Sequence, residues 1–116
     1  MSLVAEQAAF LHDVVKLLQF ATTAGFVVTG GELWRSPEQQ AIYVKAGRSK
    51  TMDSNHLSRL AIDLNFFKDG DLCYDTGVLR PVGNYWESLD PKNRWGGNFK
   101  SLKDVPHFER NPGGRV

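Results

Sequence analysis

The chain has 116 residues, enough for one buried core and too few for two. Fourteen Lys and Arg stand against thirteen Asp and Glu, a net charge of +1. With the basic residues scattered, that balance argues against a nucleic-acid partner, which needs a clustered basic footprint. No run approaches the roughly 18 apolar residues of a membrane span. The opening "MSLVAEQAAF" has neither the basic region nor the continuous apolar region of a signal peptide. The single cysteine, Cys73, excludes an internal disulfide and reads as a structural thiol. The expectation is one soluble domain over residues 1–116, monomeric, made in a cytoplasm and free of nucleic-acid or membrane partners.

Residues 5–24 have Leu11, Val14, Val15, Leu18 and Ala21 at helical spacing, with Gly25 placed to end the helix. "GFVVTGGELW" reads as a strand whose glycine pair marks a bulge. In "RSPEQQAIYVKAG", Ser36 is suited to N-cap a second helix, Pro37 to its first position and Gln39 to the third position of a capping box, with Gly47 as the stop. Arg35 then falls at a strand-to-helix junction. "RSKTMDSN" is polar loop.

From Arg59 to Phe67 the pattern alternates. Ala61, Asp63 and Asn65 share one face, Leu60, Ile62, Leu64 and Phe66 the other. "KDGD" is a turn. Residues 71–92 are the least legible, with a short helix expected around Tyr85–Leu89. "RWGGNF" is glycine-rich and aromatic, and "VPHFE" reads as a short last strand with His107 and Glu109 on one face. Helices around a small antiparallel sheet make the fold class α+β.

Asp63 sits inside an apolar run, where a carboxylate is costly to bury unless its charge is compensated. Spacing leaves two compensations open. One is an ion pair with Arg35 or Arg59, with His56 merely capping the strand. The other is a metal ion shared with His56 and His107, since two imidazoles and a carboxylate match a catalytic zinc shell that keeps a fourth position for water. His12, on the first helix beside Asp13, has no companion ligand and reads as a surface or partly packed residue. Glu109 is open between orienting an imidazole and pairing with Arg110 or Arg115. Trp95 and Phe99, around Gly96 and Gly97, are open between lining a substrate groove and filling the core. Trp34 and Trp86 are assigned to packing.

Three segments taken together carry a resemblance. The stretch S54-N55-H56-L57-S58-R59-L60-A61-I62-D63, then D104-V105-P106-H107-F108-E109, resembles the two signature segments of a zinc peptidase family. That family holds VanY-type D-alanyl-D-alanine carboxypeptidases and phage L-alanyl-D-glutamate endolysins. Its third segment, an Arg-Ser/Thr-x-x-Gln run, matches R35-S36-P37-E38-Q39. The three come in the family order and span residues 35–109. One departure is Arg59, which stands where the family usually has glycine.

The resemblance implies a D,D-peptidase or hedgehog-like fold and one Zn2+ held by His56, Asp63 and His107. It makes Asp104 the catalytic carboxylate and Arg35 the substrate-side cation, with Ser54 and Gln39 as further matches to the motifs. The implied substrate is the peptidoglycan stem peptide, cut at L-Ala–D-Glu by a phage endolysin that reaches the wall after release from the host cytoplasm. A D,D-carboxypeptidase with the same zinc centre is the alternative. A non-catalytic, zinc-containing wall-binding module is the alternative of another class; the spare carboxylate at Asp104 argues against it.

Overall fold

A computed structural model describes residues 2–47, 55–100 and 102–112. Helix α1 spans Leu3–Thr23, with the Ser2 hydroxyl accepting the Ala5 N–H at its start. Its buried stripe is Phe10, Val14, Leu17 and Ala21. Leu11 and Val15, counted as apolar-face positions from the spacing, are exposed instead. Both stripes repeat at helical spacing, and only the packing partners choose between them.

Strand β1 (Val27–Gly30) is shorter than the stretch from Gly25 to Trp34 expected for it. After Gly30 the chain leaves the sheet and crosses Asp63. Helix α2 (Pro37–Lys45) starts as expected, the Ser36 hydroxyl accepting the Gln39 N–H at 3.0 Å. A 3-10 turn, Asn55–Ser58, leads into the central strand β2 (Ala61–Lys68). Asp69 and Gly70, at φ 53° and 85°, form the tight turn to β3 (Asp71–Cys73). Two successive positive φ values are what a two-residue hairpin joining right-twisted strands requires.

Residues 71–92 hold more order than their sequence conveys. Helix α3 runs from Thr76 to Leu89, capped by the Asp75 carboxylate, which accepts the Val78 N–H. Gly77, Pro81 and Gly83 mask it, because each weakens a helix when read locally. Tertiary packing overrides them: Leu79, Val82 and Trp86 enter the core. A Cβ at Gly83 would lie 2.1 Å from the Trp95 ring, so only glycine lets helix and ring meet.

Strands β4 (Asn93–Trp95) and β5 (His107–Arg110) complete an antiparallel sheet of order β1-β2-β5-β4, with β3 also paired to β2. α1 and α3 pack on each other, and their apolar sides meet Leu60, Leu64, Phe66, Trp95 and Phe108 in one core. The α+β expectation matches this arrangement. The register pairs Ala61 with Glu109 and Asp63 with His107. Opposed residues on antiparallel strands hold their side chains within interacting distance, so this register builds the site.

Candidate metal centre

Asp63 and His107 are cross-strand partners, and His56 reaches them from the 3-10 turn. His56 Nε2 lies 3.2 Å from His107 Nδ1 and 3.3 Å from Asp63 Oδ1. His107 Nδ1 is 3.6 Å from the same oxygen. Both imidazoles are buried, and Asp63 Oδ1 is buried without a hydrogen-bond partner. These three side chains could hold a metal ion.

The outer hydrogen bonds test that fit. His56 Nδ1 is 3.0 Å from the Leu33 carbonyl oxygen, which can only accept, so Nδ1 carries the hydrogen and Nε2 turns a lone pair inward. His107 Nε2 is 2.7 Å from Glu109 Oε1 and donates to it. In the neutral tautomer this fixes, Nδ1 also turns its lone pair inward. Two lone pairs and an unbonded carboxylate oxygen converge on one point, which demands a proton or a cation there. Donors about 2.0–2.2 Å from a tetrahedral ion stand roughly 3.3–3.6 Å apart, close to the spacings observed. Imidazoles held from behind by a carbonyl and a carboxylate are the usual second layer of such a site.

The electrostatics agree. Burial alone would raise the Asp63 carboxyl, but His107 and His56 beside it hold it well below the usual carboxylate range. Burial likewise opposes charge on His107, yet its contacts with Asp63 and Glu109 overcome this and lift its pKa to about 9 without a metal. Glu109 is pushed up by burial and pulled lower overall by His107 and by Arg94, whose Nε lies 2.8 Å away. It is therefore a buried partner of His107. Arg110 is engaged elsewhere, with Glu6 and Asp90.

Asp104 stands apart from the three. Its Oδ2 is 3.9 Å from His107 Nδ1, its side chain is 49% exposed, and its pKa is raised, first by desolvation and also by the charge of Asp63. Its backbone is held at the site by Gly96: Asp104 N–H donates to Gly96 O at 2.9 Å, and His107 N–H to Asp104 O at 3.0 Å. A Cβ on Gly96 would fall 2.0 Å from Asp104 O and 2.9 Å from His107 Cβ. Gly31 plays the same part for Asp63. Its N–H donates to Asp63 O at 2.7 Å, and a Cβ there would lie 2.9 Å from that oxygen.

Arg35 lies in the loop before α2, 11% exposed. Its Nε pairs with Glu32, its Nη1 donates to Gln40 Oε1 at 2.6 Å, and its guanidinium rests over the Tyr43 ring. Its charge reaches Asp104. Neither Arg35 nor Arg59 pairs with Asp63 among the described residues.

The structure changes several sequence-based assignments. Trp95 is fully buried, its indole N–H donating to Val105 O, so it belongs to the core and not to a substrate surface. Trp86 is also core, whereas Trp34 is 46% exposed. Gln39 contributes the N–H that Ser36 caps, while the neighbouring Gln40, fully buried, is the glutamine that holds Arg35. Ser54 lies outside the described residues. Phe99 is half-buried with its ring 5.6 Å from that of His107. Glu32 and Gln40 carry no sequence signal for their contacts with Arg35, and Gly31 and Gly96 show in the sequence only as a possible bulge and a bend.

Arg59 takes φ 55°, the left-handed conformation glycine adopts without strain. The backbone here keeps the path a glycine would follow, with arginine in its place.

Three side chains that could hold a metal ion, a nearby carboxylate and a braced arginine suit a hydrolase-like centre, and the comparisons bear on its class. A family profile described as D-alanyl-D-alanine carboxypeptidase matches residues 47–110. The chain belongs to that family of peptidases. It is 33% identical over 99 residues, 83% of its length, to the L-alanyl-D-glutamate peptidase of Listeria phage A118. It spans about a third (34%) of that curated relative. The crystal structure of Serratia marcescens L-Ala D-Glu endopeptidase ChiX superposes with a TM-score of 0.67 at 27% identity, covering 85% of this chain and 78% of that one.

Proposed function

We propose that the protein is a zinc peptidase acting on peptidoglycan stem peptides, cutting between L-Ala and D-Glu as a phage endolysin does. The convergence of His56 Nε2, His107 Nδ1 and the unbonded Asp63 Oδ1 on one point carries the reading. The two relatives, both named for the L-Ala–D-Glu bond, support this bond over a terminal D-Ala.

His56, Asp63 and His107 would hold the ion, and zinc bound there would supply Lewis-acid chemistry that makes water a nucleophile near about pH 7. Asp104, half exposed and with its pKa raised, takes a proton from water attacking the scissile carbonyl carbon and returns it to the departing amine. Arg35, fixed by Glu32 and Gln40, stabilises the negative charge that develops on the carbonyl oxygen. Glu109 and the Leu33 carbonyl keep both imidazoles in the tautomers that present lone pairs.

The test is digestion of purified peptidoglycan by the zinc-loaded protein, with termini identified by mass spectrometry and His56→Ala as control. New amino-terminal D-Glu is the expected product. Release of D-Ala would make the protein a D,D-carboxypeptidase. No new termini with zinc bound would overturn the peptidase reading.

A further inference from the structure

Arg59 combines features that neither the fold nor the mechanism above uses. It is a long-chain residue held at φ 55°, where an L side chain crowds the following carbonyl and glycine does not. Strained backbone of this kind persists where its surroundings impose it, and it concentrates at ligand contacts. The side chain is exposed, with its guanidinium carbon 5.4 Å from the centroid of the Trp34 ring.

The position of that stack is fixed by His56. Arg59 N–H and Arg35 N–H both lie 3.3 Å from the His56 carbonyl oxygen, and the Leu33 carbonyl holds His56 Nδ1. Trp34 is therefore pinned to the metal-ligand turn through both of its chain neighbours. The Arg59–Trp34 stack is tied to the His56 turn through backbone contacts with the His56 carbonyl and through the Leu33 carbonyl on His56 Nδ1.

The charges around it are spoken for. Glu32 pairs with Arg35, Glu109 with Arg94 and His107, and Asp63 and Asp104 face the histidines. Arg35 is compensated internally by Glu32. Among the described residues, no ion pair engages Arg59. It is an exposed cation three residues from His56, unpaired among the described residues, and its guanidinium is stiffened by an aromatic face.

We infer that Arg59, braced on Trp34, is a specificity-determining residue that binds a substrate carboxylate, the α-carboxylate of the γ-linked D-Glu that follows the scissile bond. This rests on the peptidase reading above. A guanidinium matches a carboxylate with two parallel N–H donors, and stacking on the indole reduces the side-chain freedom lost on binding. Amidation of that carboxylate removes the charge and replaces one acceptor oxygen with a donor, so the amidated peptide is the natural comparison.

The experiment compares L-Ala-γ-D-Glu-L-Lys with its α-amide, L-Ala-γ-D-isoGln-L-Lys, as substrates of the zinc-loaded protein and of Arg59→Gly and Arg59→Lys. Glycine accepts this backbone, so Arg59→Gly tests the side chain without demanding a new fold. The protein should prefer the acid by about tenfold or more in kcat/KM, mainly through KM. Arg59→Gly should cut both peptides at similar KM, and Arg59→Lys should keep part of the preference. An unchanged preference in Arg59→Gly, or none in the parent, overturns the inference and leaves the peptidase reading standing. Titration of the acid peptide into Asp104→Asn protein, with and without Arg59→Gly, reads the contact apart from turnover; equal affinities would also overturn it. Cleavage of neither peptide counts against the peptidase reading, and the titration then decides the carboxylate contact alone.

Discussion

At the scale of single residues, a metal ion bound at the candidate site would compete with the proton on His107 for one lone pair. Without metal, Asp63 and Glu109 raise the His107 pKa to about 9, above the ordinary 6.5. Metal must displace that proton, so zinc binding at pH 7 should release close to one proton from this group, and affinity should rise with pH until about 9. Calorimetry in buffers of different ionisation enthalpy checks the release. Stability follows the same linkage. A raised folded-state pKa contributes stability that is fully present below 6.5 and is lost as pH rises through 9, so the metal-free protein should weaken across that window. The zinc-loaded protein, with Nδ1 engaged, should not show that loss. Asp104 makes a separate prediction. Asp104→Ala should leave zinc bound, since its oxygen stands outside the triad, and lower turnover by about 10²–10⁴-fold as expected for a lost acid–base group. Retention of full activity would remove Asp104 from the mechanism.

At the scale of elements, two close backbone approaches set the site's precision. Gly96 admits the Asp104–His107 turn, and Gly31 admits the chain across Asp63. Gly96→Ala places a methyl group 2.0 Å from a backbone oxygen that has no room to retreat. It should cost about 1–3 kcal/mol or more in stability and weaken zinc binding, because the same turn carries His107. Arg59→Gly runs the other way. At φ 55° glycine is unstrained, so chemical denaturation should show stability unchanged or raised by up to about 1 kcal/mol. Local signals mark some elements and mask others. Ser36 and Pro37 announce α2 because capping is local, and Asp69-Gly70 announces its turn. α3 was hidden because Gly77, Pro81 and Gly83 disfavour a helix that burial of Leu79, Val82 and Trp86 against the sheet makes favourable.

At the scale of the molecule, the candidate metal site joins segments distant in the chain. The 3-10 turn at His56, the central strand at Asp63 and the last strand at His107 are held in register by β2 and β5. A ligand that binds only the folded form stabilises it, by about 2.7 kcal/mol at a hundredfold excess over Kd. Chelation should therefore lower Tm by on the order of 10 °C relative to zinc-saturated protein, read by thermal scan. His107→Ala, lacking one ligand, should show little of that difference. A chelator-insensitive Tm in the parent protein would argue against a resident ion at these residues.

What the amino-acid order alone determined was the need for compensation at Asp63, a carboxylate in an apolar strand, and the capping and alternation that mark α2 and β2. Spacing leaves that compensation open between an ion pair and a metal shared with His56 and His107; the resemblance of three segments to a peptidase family is what singles out His56, Asp63, His107 and Asp104. Residue type, capping and strand alternation are legible because they are local properties. Tertiary structure decided what depends on residues remote in sequence. It selected Phe10, Leu17 and their stripe over Leu11 and Val15, and it buried Trp95 while exposing Trp34. It also brought Gln40 to Arg35, and turned Gly31 and Gly96 into supports of the site. Each of these outcomes is a contact between segments whose separation no local pattern records. The lone pairs of His56 and His107 converge on one point beside Asp63 only because β2 and β5 pair and the 3-10 turn brings His56 to them.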